Sequence, residues 1–251
     1  EGSTDEEHIL WNNYYEYAFS QHKHIKFYVA STDTQNRLLK KQFKKYKGIS
    51  PKIVTIPVGS IDKLRYPKKR RRKSSLITAS RLADEKHVDW LVEAVVKARE
   101  QVPDVSLDIY GKGGEEAKLR KMIGELKCGD YVRLCGQKNL EEVYKNYEAY
   151  LAGSTSEGFG LTLMEAVGSG LPVIGFDVRY GNQNFIDDEE NGYLIAVDDK
   201  MEKKERIQKL EECIVRMFTE ADLEAFHQHS YEKAEMYMTK EVKEQWAKLL
   251  K

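Results

Sequence analysis

The sequence is poor in the residues that cross-link small secreted proteins or build membrane spans. It has only three cysteines among 251 residues, Cys128, Cys135 and Cys213. They form no C-x-x-C pair and are too few for a disulfide framework, which is typical of a protein in a reducing compartment. No apolar run approaches the roughly 20 residues of a membrane span, and no signal-peptide pattern opens the chain. We therefore expect a cytoplasmic protein.

Net charge is also lacking, because 41 basic residues balance 41 acidic ones. General electrostatic attraction to nucleic acid or to a membrane is not expected, so a partner has to be recognised locally. The basic run KKRRRK (Lys68–Lys73) is predicted to be a solvated interdomain loop. A nucleic-acid or nuclear-targeting patch is the alternative, but no aromatic residues are interleaved with the run.

From Ser74 onward, short apolar segments alternate with segments of helical periodicity. The predicted strands are Ser74–Ser80, Val105–Gly111, Tyr131–Gly136, 149–154, 171–176 and Asn191–Val197. The predicted helices are Val88–Glu100, 115–127, 139–147 and one that follows Gly160. This alternation predicts an α/β fold with a parallel sheet covered on both faces. Ligands bind such sheets at the carboxyl ends of the strands.

The two ends of the chain do not follow this alternation. A predicted strand at Ile25–Ser31 precedes a helix at 34–46, and Lys52–Asp62 is predicted to be a final strand and a turn. One or two strands are too few to form an independent sheet, so we interpret this part as the end of another domain. After Met201 the chain is predicted to be nearly all helix. Because no initiator Met is present, we expect a fragment of a longer protein.

The densest group of candidate site residues lies in Glu157–Gly175, EGFGLTLMEAVGSGLPVIG. Gly158 and Gly160 allow the backbone to turn and to approach a ligand closely. A helix that begins near Gly160 would direct its first N–H groups at a phosphate or a developing anion. Those amides belong to Leu161, Thr162 and Leu163.

Two carboxylates stand eight positions apart in the same stretch. Glu165, about one turn into the helix, can accept hydrogen bonds from a diol such as a ribose. Glu157, on the loop before the helix, would meet whatever lies beyond the phosphates. The spacing therefore suits a sugar–diphosphate–nucleoside with one acid at each end. A capping acid followed by an exposed helical glutamate remains the alternative on these residues alone.

Two cations, Arg81 and Lys86, follow the first strand in SRLADEKHVDWL. Cations at the carboxyl end of a strand can neutralise a diphosphate leaving group without a metal. A surface cation is a fair interpretation of either residue alone, but the pair favours the functional interpretation. The segment Ile109–Arg120, IYGKGGEEAKLR, is a strand, a glycine turn and a helix. It does not match the G-x-G-x-x-G fingerprint, because Glu116 stands where the last glycine should be.

In this order, IPVGSID, SRLADEK, IYGKGG, VRLCGQ and EGFGLTLMEAVGSGLPVIG resemble motifs of the retaining GT-B glycosyltransferases, specifically glycosyltransferase family four. The resemblance runs from about Thr55 to Val197, and the last motif, the E-x7-E signature, is the most specific. It implies a Rossmann-like nucleotide-sugar domain at 58–236. It also implies the end of the acceptor-side domain at 1–57 and a helix at 237–251 that crosses back to that domain.

The resemblance also implies roles for individual residues. Arg81 and Lys86 would hold the donor diphosphate, and Glu165 would bind the ribose. Glu157, Arg81 and Lys86 are the predicted catalytic residues, with Glu157 contacting the transferred sugar. The other predicted contacts to the sugar, phosphates and base are Tyr110, Gly136, Lys138, Gly158, Phe159, Gly160, Leu161 and Thr162. No cofactor and no metal are expected, and the donor substrate is a UDP-sugar.

The sequence departs from the common family pattern at two places. His87 stands where a glycine is usual, and DVRYGNQNFI (Asp177–Ile186) replaces the usual glycine pair and acid. The second departure, with its Tyr180-Gly181 pair, resembles the branch that glycosylates bacterial polypeptides and wall polymers. The first residues, HILWNNYYEYAFSQHKHIKFYVASTDTQ, resemble the O-GlcNAc transferase subunits of the bacterial accessory secretion system.

This last resemblance implies transfer of GlcNAc from UDP-GlcNAc to Ser/Thr hydroxyls of a serine-rich adhesin. It implies GtfB as a co-subunit and no nucleic-acid partner, and it leaves a peripheral contact with the inner face of the membrane open. One alternative is a non-catalytic nucleotide-sugar-fold partner or stabiliser. Another is a family-four enzyme that modifies wall polymer from UDP-glucose or UDP-GlcNAc. A nicotinamide oxidoreductase is disfavoured because the fingerprint glycines are missing.

Four of the six histidines are predicted to lie on the surface. His22 and His24 have a spacing that suits a metal site on an extended segment, but they lack carboxylate or cysteine companions. His227 and His229 lie in a polar helical segment and receive the same interpretation.

Overall fold

The computed structural model describes residues 17, 20–47, 50–198 and 200–251. The opening segment 1–16, which contains part of the stretch that resembles secretion-system transferases, lies outside the described residues. Two compact units are distinguished, one formed by Gly59–Lys243 and the other by Glu1–Val58 with Glu244–Lys251. The roles predicted for 1–57 and 237–251 concern a neighbouring domain and stay predictions.

In the described part of the smaller unit, a two-stranded parallel sheet is covered by the helix that connects its strands. Strands β1 (Tyr28–Ala30) and β2 (Ile53–Thr55) pair side by side, and α1 (Asp33–Lys47) connects them. The side chain of Phe43 on α1 is fully buried and its ring meets that of Tyr28 edge to face, with 4.7 Å between centroids. The helix therefore covers this pair of strands, as a parallel connection requires.

A six-stranded, entirely parallel sheet forms the centre of the larger unit, with the order β5-β4-β3-β6-β7-β8. The strands are β3 (Ser75–Ala79), β4 (Ser106–Tyr110), β5 (Val132–Gly136), β6 (Ala149–Ala152), β7 (Val173–Phe176) and β8 (Gly192–Ile195). The α-helices that follow β3 are α2 (Val88–Ala98), α3 (Glu116–Glu125), α4 (Leu161–Val167), α5 (Gly181–Phe185), α6 (Lys203–Thr219), α7 (Leu223–Glu235) and α8 (Thr239–Leu250). The residues of α8 from Glu244 onward belong to the smaller unit. The predicted α/β class with a Rossmann-like parallel sheet is confirmed.

Helices cover both faces of the sheet, and neighbouring strand residues belong to opposite faces. Leu76 packs in the cluster formed with α2, α3 and α6, whereas Ile77 packs in the cluster formed with α4 and α5. Every residue of β3, β6 and β7 is buried. This double burial explains why these strands read as continuous apolar runs in the sequence.

The predicted helix at 139–147 is wrong. The structure has only a 3-10 turn at Tyr144–Asn146. Tyr144 and Tyr147, three positions apart, are 1% and 5% exposed and pack in the same core cluster. Tyr147 follows the turn with an extended backbone (φ −101°, ψ +161°), so the segment does not continue as a helix.

The basic run is only partly a solvated loop. Lys68–Arg70 are exposed, as predicted. Arg71, however, is partly buried, and its guanidinium contacts segments that precede β6 and β7. It donates hydrogen bonds of 2.9 Å to the carbonyl oxygens of Lys145, Tyr147 and Ser169. This arginine therefore ties together the segments that lead into β6 and β7.

The neighbouring Arg72 takes part in a buried polar network on β4. Asp108 accepts hydrogen bonds from Arg72 (3.1 Å), from Arg133 (2.7 and 2.8 Å) and from the Tyr147 hydroxyl (2.5 Å). Burial alone would raise the pKa of Asp108, but the hydrogen bonds from Arg133 and Tyr147 and the charge of Arg72 outweigh it and lower that pKa. The network ends at Tyr110, whose hydroxyl lies 3.0 Å from that of Tyr147.

The surface position predicted for His227 is also wrong, whereas His229 is exposed. The His227 side chain is buried on α7, and its Nδ1 lies 2.7 Å from the carbonyl oxygen of Gly170. Burial and the charge of Arg71 lower the pKa of His227 to about 4, against the opposing effect of the Gly170 hydrogen bond.

Within the described residues, no helix is both long and apolar enough to cross a membrane.

We expect His227 to make folding sensitive to mild acid. The pKa of His227 in the folded state lies below the usual value near 6.5, so the unfolded chain binds a proton more readily. The stability of the folded protein is therefore unaffected by this group above pH 6.5 and falls as the pH decreases toward 4. Between pH 7.5 and pH 5 the free energy of unfolding should fall by about 2 kcal/mol through this group. Urea unfolding of His227→Gln should show a correspondingly smaller fall. The exposed control His229→Gln should behave like the unsubstituted protein, and an equal fall in all three proteins would contradict the prediction.

Candidate functional site

The order of the strands reverses between β3 and β6, which opens a crevice at their carboxyl ends. The chain runs from β3 outward to β4 and β5, and from β6 outward in the opposite direction to β7 and β8. The loops at 80–87 and 153–160 therefore diverge above the sheet, as at the ligand sites of other open α/β sheets. A cavity of about 380 Å³ lies there. Its lining includes the predicted residues Arg81, Lys86, Glu157, Gly158, Phe159, Gly160, Leu161 and Thr162.

Two more cavities adjoin the first through Thr162, which lines all three. Tyr110 and Lys138 line one of about 270 Å³, and Glu165 lines another of about 540 Å³. Gly136 lines none of the three, and its carbonyl oxygen accepts a hydrogen bond from the N–H of Gly111 at 2.9 Å. The structure thus brings the other predicted site residues to one edge of the sheet.

An ion pair joins the two loops across the crevice. Lys86 Nζ donates to Glu157 Oε2 at 2.7 Å, and the two side chains are only 15% and 21% exposed. Lys86 ends a 3-10 turn at Asp84–Lys86 after β3, whereas Glu157 lies between β6 and α4. A cation and a carboxylate that are far apart in the sequence therefore meet inside the cavity.

Arg81 stands at the rim of the cavity. Its side chain is 78% exposed and donates to Glu85 Oε1 at 2.7 Å. The guanidinium has five N–H donors, and this contact uses one of them. It can therefore take a diphosphate or another anion in the crevice without first leaving a buried partner.

Glu165 forms part of the wall of the 540 Å³ cavity. Its Oε2 accepts a hydrogen bond of 3.1 Å from the hydroxyl of the buried Tyr144. Desolvation by the packed surroundings raises the pKa of Glu165, and the Tyr144 hydrogen bond and the charge of Arg65 only partly oppose it. The remaining lone pairs of the carboxylate are open to hydroxyl donors in the cavity.

The predicted helix after Gly160 is present as α4, a helix of seven residues. Gly160 has φ of +88°, in the left-handed region that glycine adopts without strain, and a Cβ there would lie 2.8 Å from Leu163 Cδ1. The first N–H groups of a helix have no acceptor within it. At α4 those groups belong to residues that line the 380 Å³ cavity.

His87, the first departure from the family pattern, has a role that the sequence did not reveal. Its φ is +42° and its ψ is +44°, a left-handed conformation that explains why glycine suits the position. The imidazole stacks on Trp90 with 3.7 Å between ring centroids, and its Nε2 lies 3.1 Å from Thr155 Oγ1. Burial lowers the pKa of His87. The His87–Thr155 contact connects the Lys86 loop to the Glu157 loop, in addition to the Lys86–Glu157 ion pair.

The second departure, Tyr180-Gly181, holds the backbone of Glu157. Glu157 donates its N–H to the carbonyl oxygen of Arg179 at 2.9 Å, and its own carbonyl oxygen accepts from the N–H of Gly181 at 3.0 Å. A Cβ at position 181 would lie 2.5 Å from the carbonyl oxygen of Phe159. Only a glycine therefore allows this segment to lie so close to the Glu157 loop.

Comparisons with known proteins give matches over most or all of the chain. The family model described as "Glycosyl transferases group 1" matches residues 61–221. The UDP-N-acetylglucosamine–peptide N-acetylglucosaminyltransferase GtfA subunit of Streptococcus gordonii is 52% identical over 100% of this chain and 50% of its own length. The structure of the pneumococcal O-GlcNAc transferase GtfA in complex with UDP and GlcNAc is 51% identical, with a TM-score of 0.91 over 98% of this chain and 49% of that one. A GtfA/B complex gives 53% identity and a TM-score of 0.92 over 99% and 49%. The chain spans about half the length of these relatives.

We expect the Lys86–Glu157 pair to contribute more to stability than an exposed pair does. A double-mutant cycle with Lys86→Met and Glu157→Gln, measured by urea unfolding, should give a coupling energy of about 1 kcal/mol because both side chains are largely shielded from water. The matched control is Lys118–Glu115, whose side chains are 54% and 29% exposed, with an expected coupling below about 0.5 kcal/mol. Equal couplings for the two pairs would show that the crevice does not strengthen the interaction.

Proposed function

The chain belongs to the glycosyl transferases group 1 family, and we propose from this membership and its site that it is the donor-binding half of a protein O-GlcNAc transferase. The whole enzyme moves GlcNAc from UDP-GlcNAc to Ser/Thr hydroxyls of a serine-rich bacterial adhesin. The observation that carries the proposal is the meeting of Lys86, Glu157, Arg81 and the start of α4 in one cavity. Sequence identities of 52% and 51% to relatives named for this reaction support UDP-GlcNAc as the donor substrate.

In this proposal the cations bind the UDP diphosphate. Lys86 has three N–H donors, of which one is used by Glu157, so the others can reach phosphate oxygens. Arg81 supplies a planar set of donors from the rim, and the N–H groups at the start of α4 add further donors. As the bond between the sugar and the diphosphate breaks, these groups stabilise the negative charge that accumulates on the leaving group.

The remaining residues orient the nucleoside and the sugar. Glu165 accepts hydrogen bonds from the ribose hydroxyls, and Glu157 contacts the sugar. Tyr110, Gln137 and Lys138, which line the 270 Å³ cavity, face the base. The acceptor hydroxyl attacks the anomeric carbon on the same face from which the diphosphate departs. The diphosphate takes up the proton of the hydroxyl. Because the new bond forms on the face where the old bond breaks, the anomeric configuration is retained. The spacing of Glu157 and Glu165 supports assignment to glycosyltransferase family four.

We also propose that transfer needs no metal ion, because Arg81, Lys86 and the helix start already neutralise the diphosphate. Transfer at an unchanged rate after treatment with EDTA is the expected result.

GtfB is proposed as the co-subunit, supported by the complex of the similar GtfA. A cytoplasmic location, with any membrane contact limited to the inner face, is proposed with it.

The first test is calorimetric titration of the 251-residue chain with UDP, UDP-GlcNAc, UDP-glucose and NADH. UDP species should bind and NADH should not. Arg81→Ala should weaken UDP binding at least tenfold, since it removes a charged phosphate ligand worth more than about 1.4 kcal/mol. Lys73→Ala is the matched control, because this exposed cation lies before β3 rather than after it. Binding of NADH, or equal losses in both variants, would contradict a UDP-sugar site.

In the full-length enzyme, Glu157→Ala and Lys86→Ala should each lower the transfer rate far more than tenfold. A tenfold loss corresponds to about 1.4 kcal/mol of transition-state stabilisation, and each substitution removes a group placed at the reacting centre. Transfer of radiolabelled GlcNAc to an adhesin repeat would measure the effect. Near-normal transfer by either variant would exclude the role assigned to that residue.

A further inference from the structure

One side chain that the sequence did not single out lies at the donor cavity. Asn182 on α5 lines the 380 Å³ cavity, although its residue is fully buried. Its Nδ2 donates a hydrogen bond of 2.8 Å to the carbonyl oxygen of Phe176, at the carboxyl end of β7. The amide is therefore anchored beside the sheet edge at which the ligand is proposed to bind.

The surrounding sequence makes room for this amide. A Cβ on Gly175 would lie 2.9 Å from Asn182 Nδ2 and 3.3 Å from the Cβ of Ala152. The missing side chain at 175 thus leaves the space that the amide fills. The orientation of the amide is also determined, because turning it over would place Oδ1 against the Phe176 carbonyl oxygen, two acceptors facing each other.

The other end of the amide has no partner. Asn182 Oδ1 is buried and makes no hydrogen bond to any of the described residues. An unpaired buried acceptor destabilises a protein, and native structures rarely keep one without a ligand or a water to satisfy it. A nearby buried asparagine, Asn191, shows the usual arrangement: its Nδ2 donates to the Phe185 carbonyl oxygen at 2.9 Å, and its Oδ1 accepts from the Asp187 N–H at 2.7 Å.

The position of Asn182 indicates which part of the donor it would meet. The adjacent Gly181 donates its N–H to the carbonyl oxygen of Glu157, so Asn182 lies on the segment that holds the residue assigned to the sugar. A carbonyl oxygen cannot donate a hydrogen bond and is repelled by phosphate oxygens. The diphosphate has Arg81 and Lys86 as its ligands, and the ribose and the base are assigned to the two neighbouring cavities. Of the parts of the UDP-sugar that carry hydrogen-bond donors, this leaves the transferred sugar for the cavity that Asn182 and Glu157 share.

We propose that Asn182 Oδ1 accepts a hydrogen bond from the transferred sugar and is a specificity-determining residue of the donor cavity. The group that donates this hydrogen bond is a sugar hydroxyl or the acetamido N–H, since either can donate to a carbonyl oxygen. This inference rests on the proposed function. The two sources differ in their consequences for UDP-glucose, which has no acetamido group.

The test uses the full-length enzyme and titrates UDP, UDP-GlcNAc and UDP-glucose into the unsubstituted protein, Asn182→Ala and Asn182→Leu. The Kd for UDP should stay within about twofold. The Kd for UDP-GlcNAc should rise about tenfold, the effect of one lost hydrogen bond. A matching rise for UDP-glucose would identify a hydroxyl as the donor, and no rise for UDP-glucose would identify the acetamido N–H. Asn191→Ala, which alters a fully paired asparagine outside the cavity, is the control and should not separate UDP from UDP-GlcNAc.

Retained UDP binding shows that each variant is folded, and the leucine variant fills the space should the alanine variant collapse. Equal weakening of UDP and UDP-GlcNAc in both variants, or no change for either ligand, would overturn the inference, because Asn182 would then act only in packing. Failure of the proposed function gives a different result, since the unsubstituted enzyme would then bind no UDP species.

Discussion

The site depends on the pairing of two fully buried parallel strands, β3 and β6, at the middle of the sheet. Leu76 pairs with Ala149 and Ile77 with Tyr150, and all residues of both strands are buried. Strands covered on both faces offer no polar surface along their length. The polar chemistry at these two strands is therefore found where they end, and the reversal of strand order at this pair separates the loops that follow them.

The two loops are then held in place by contacts distant in sequence. The Lys86–Glu157 ion pair and the His87–Thr155 contact connect them directly, while Tyr180-Gly181 fixes the backbone of Glu157 from a third segment. Both departures from the common family pattern lie in this set of contacts. His87, Tyr180 and Gly181 therefore support the site without lining the 380 Å³ cavity.

Two buried or partly buried charged groups away from the crevice have several hydrogen-bond partners each. Arg71 has three backbone acceptors and Asp108 has three side-chain partners. At the crevice, by contrast, Arg81 is mostly exposed and Asn182 Oδ1 is unpaired. Complete pairing gives stability, whereas groups that keep bonding capacity can be satisfied by a ligand. The bonding capacity that Arg81 and Asn182 keep agrees with the proposed donor site at the carboxyl ends of β3 and β6.

The sequence by itself determined the strands from Ser74 onward, their parallel arrangement and the cluster from Glu157 to Glu165, because periodicity and glycine spacing are local properties. It failed at 139–147, Arg71 and His227, whose structures depend on partners far along the chain. Only the tertiary structure decided that Lys86 reaches Glu157 and that Gly175 makes room for Asn182. The physical reason is that hydrogen bonding and burial of a side chain depend on which segments fold against it, and a linear pattern does not contain that information.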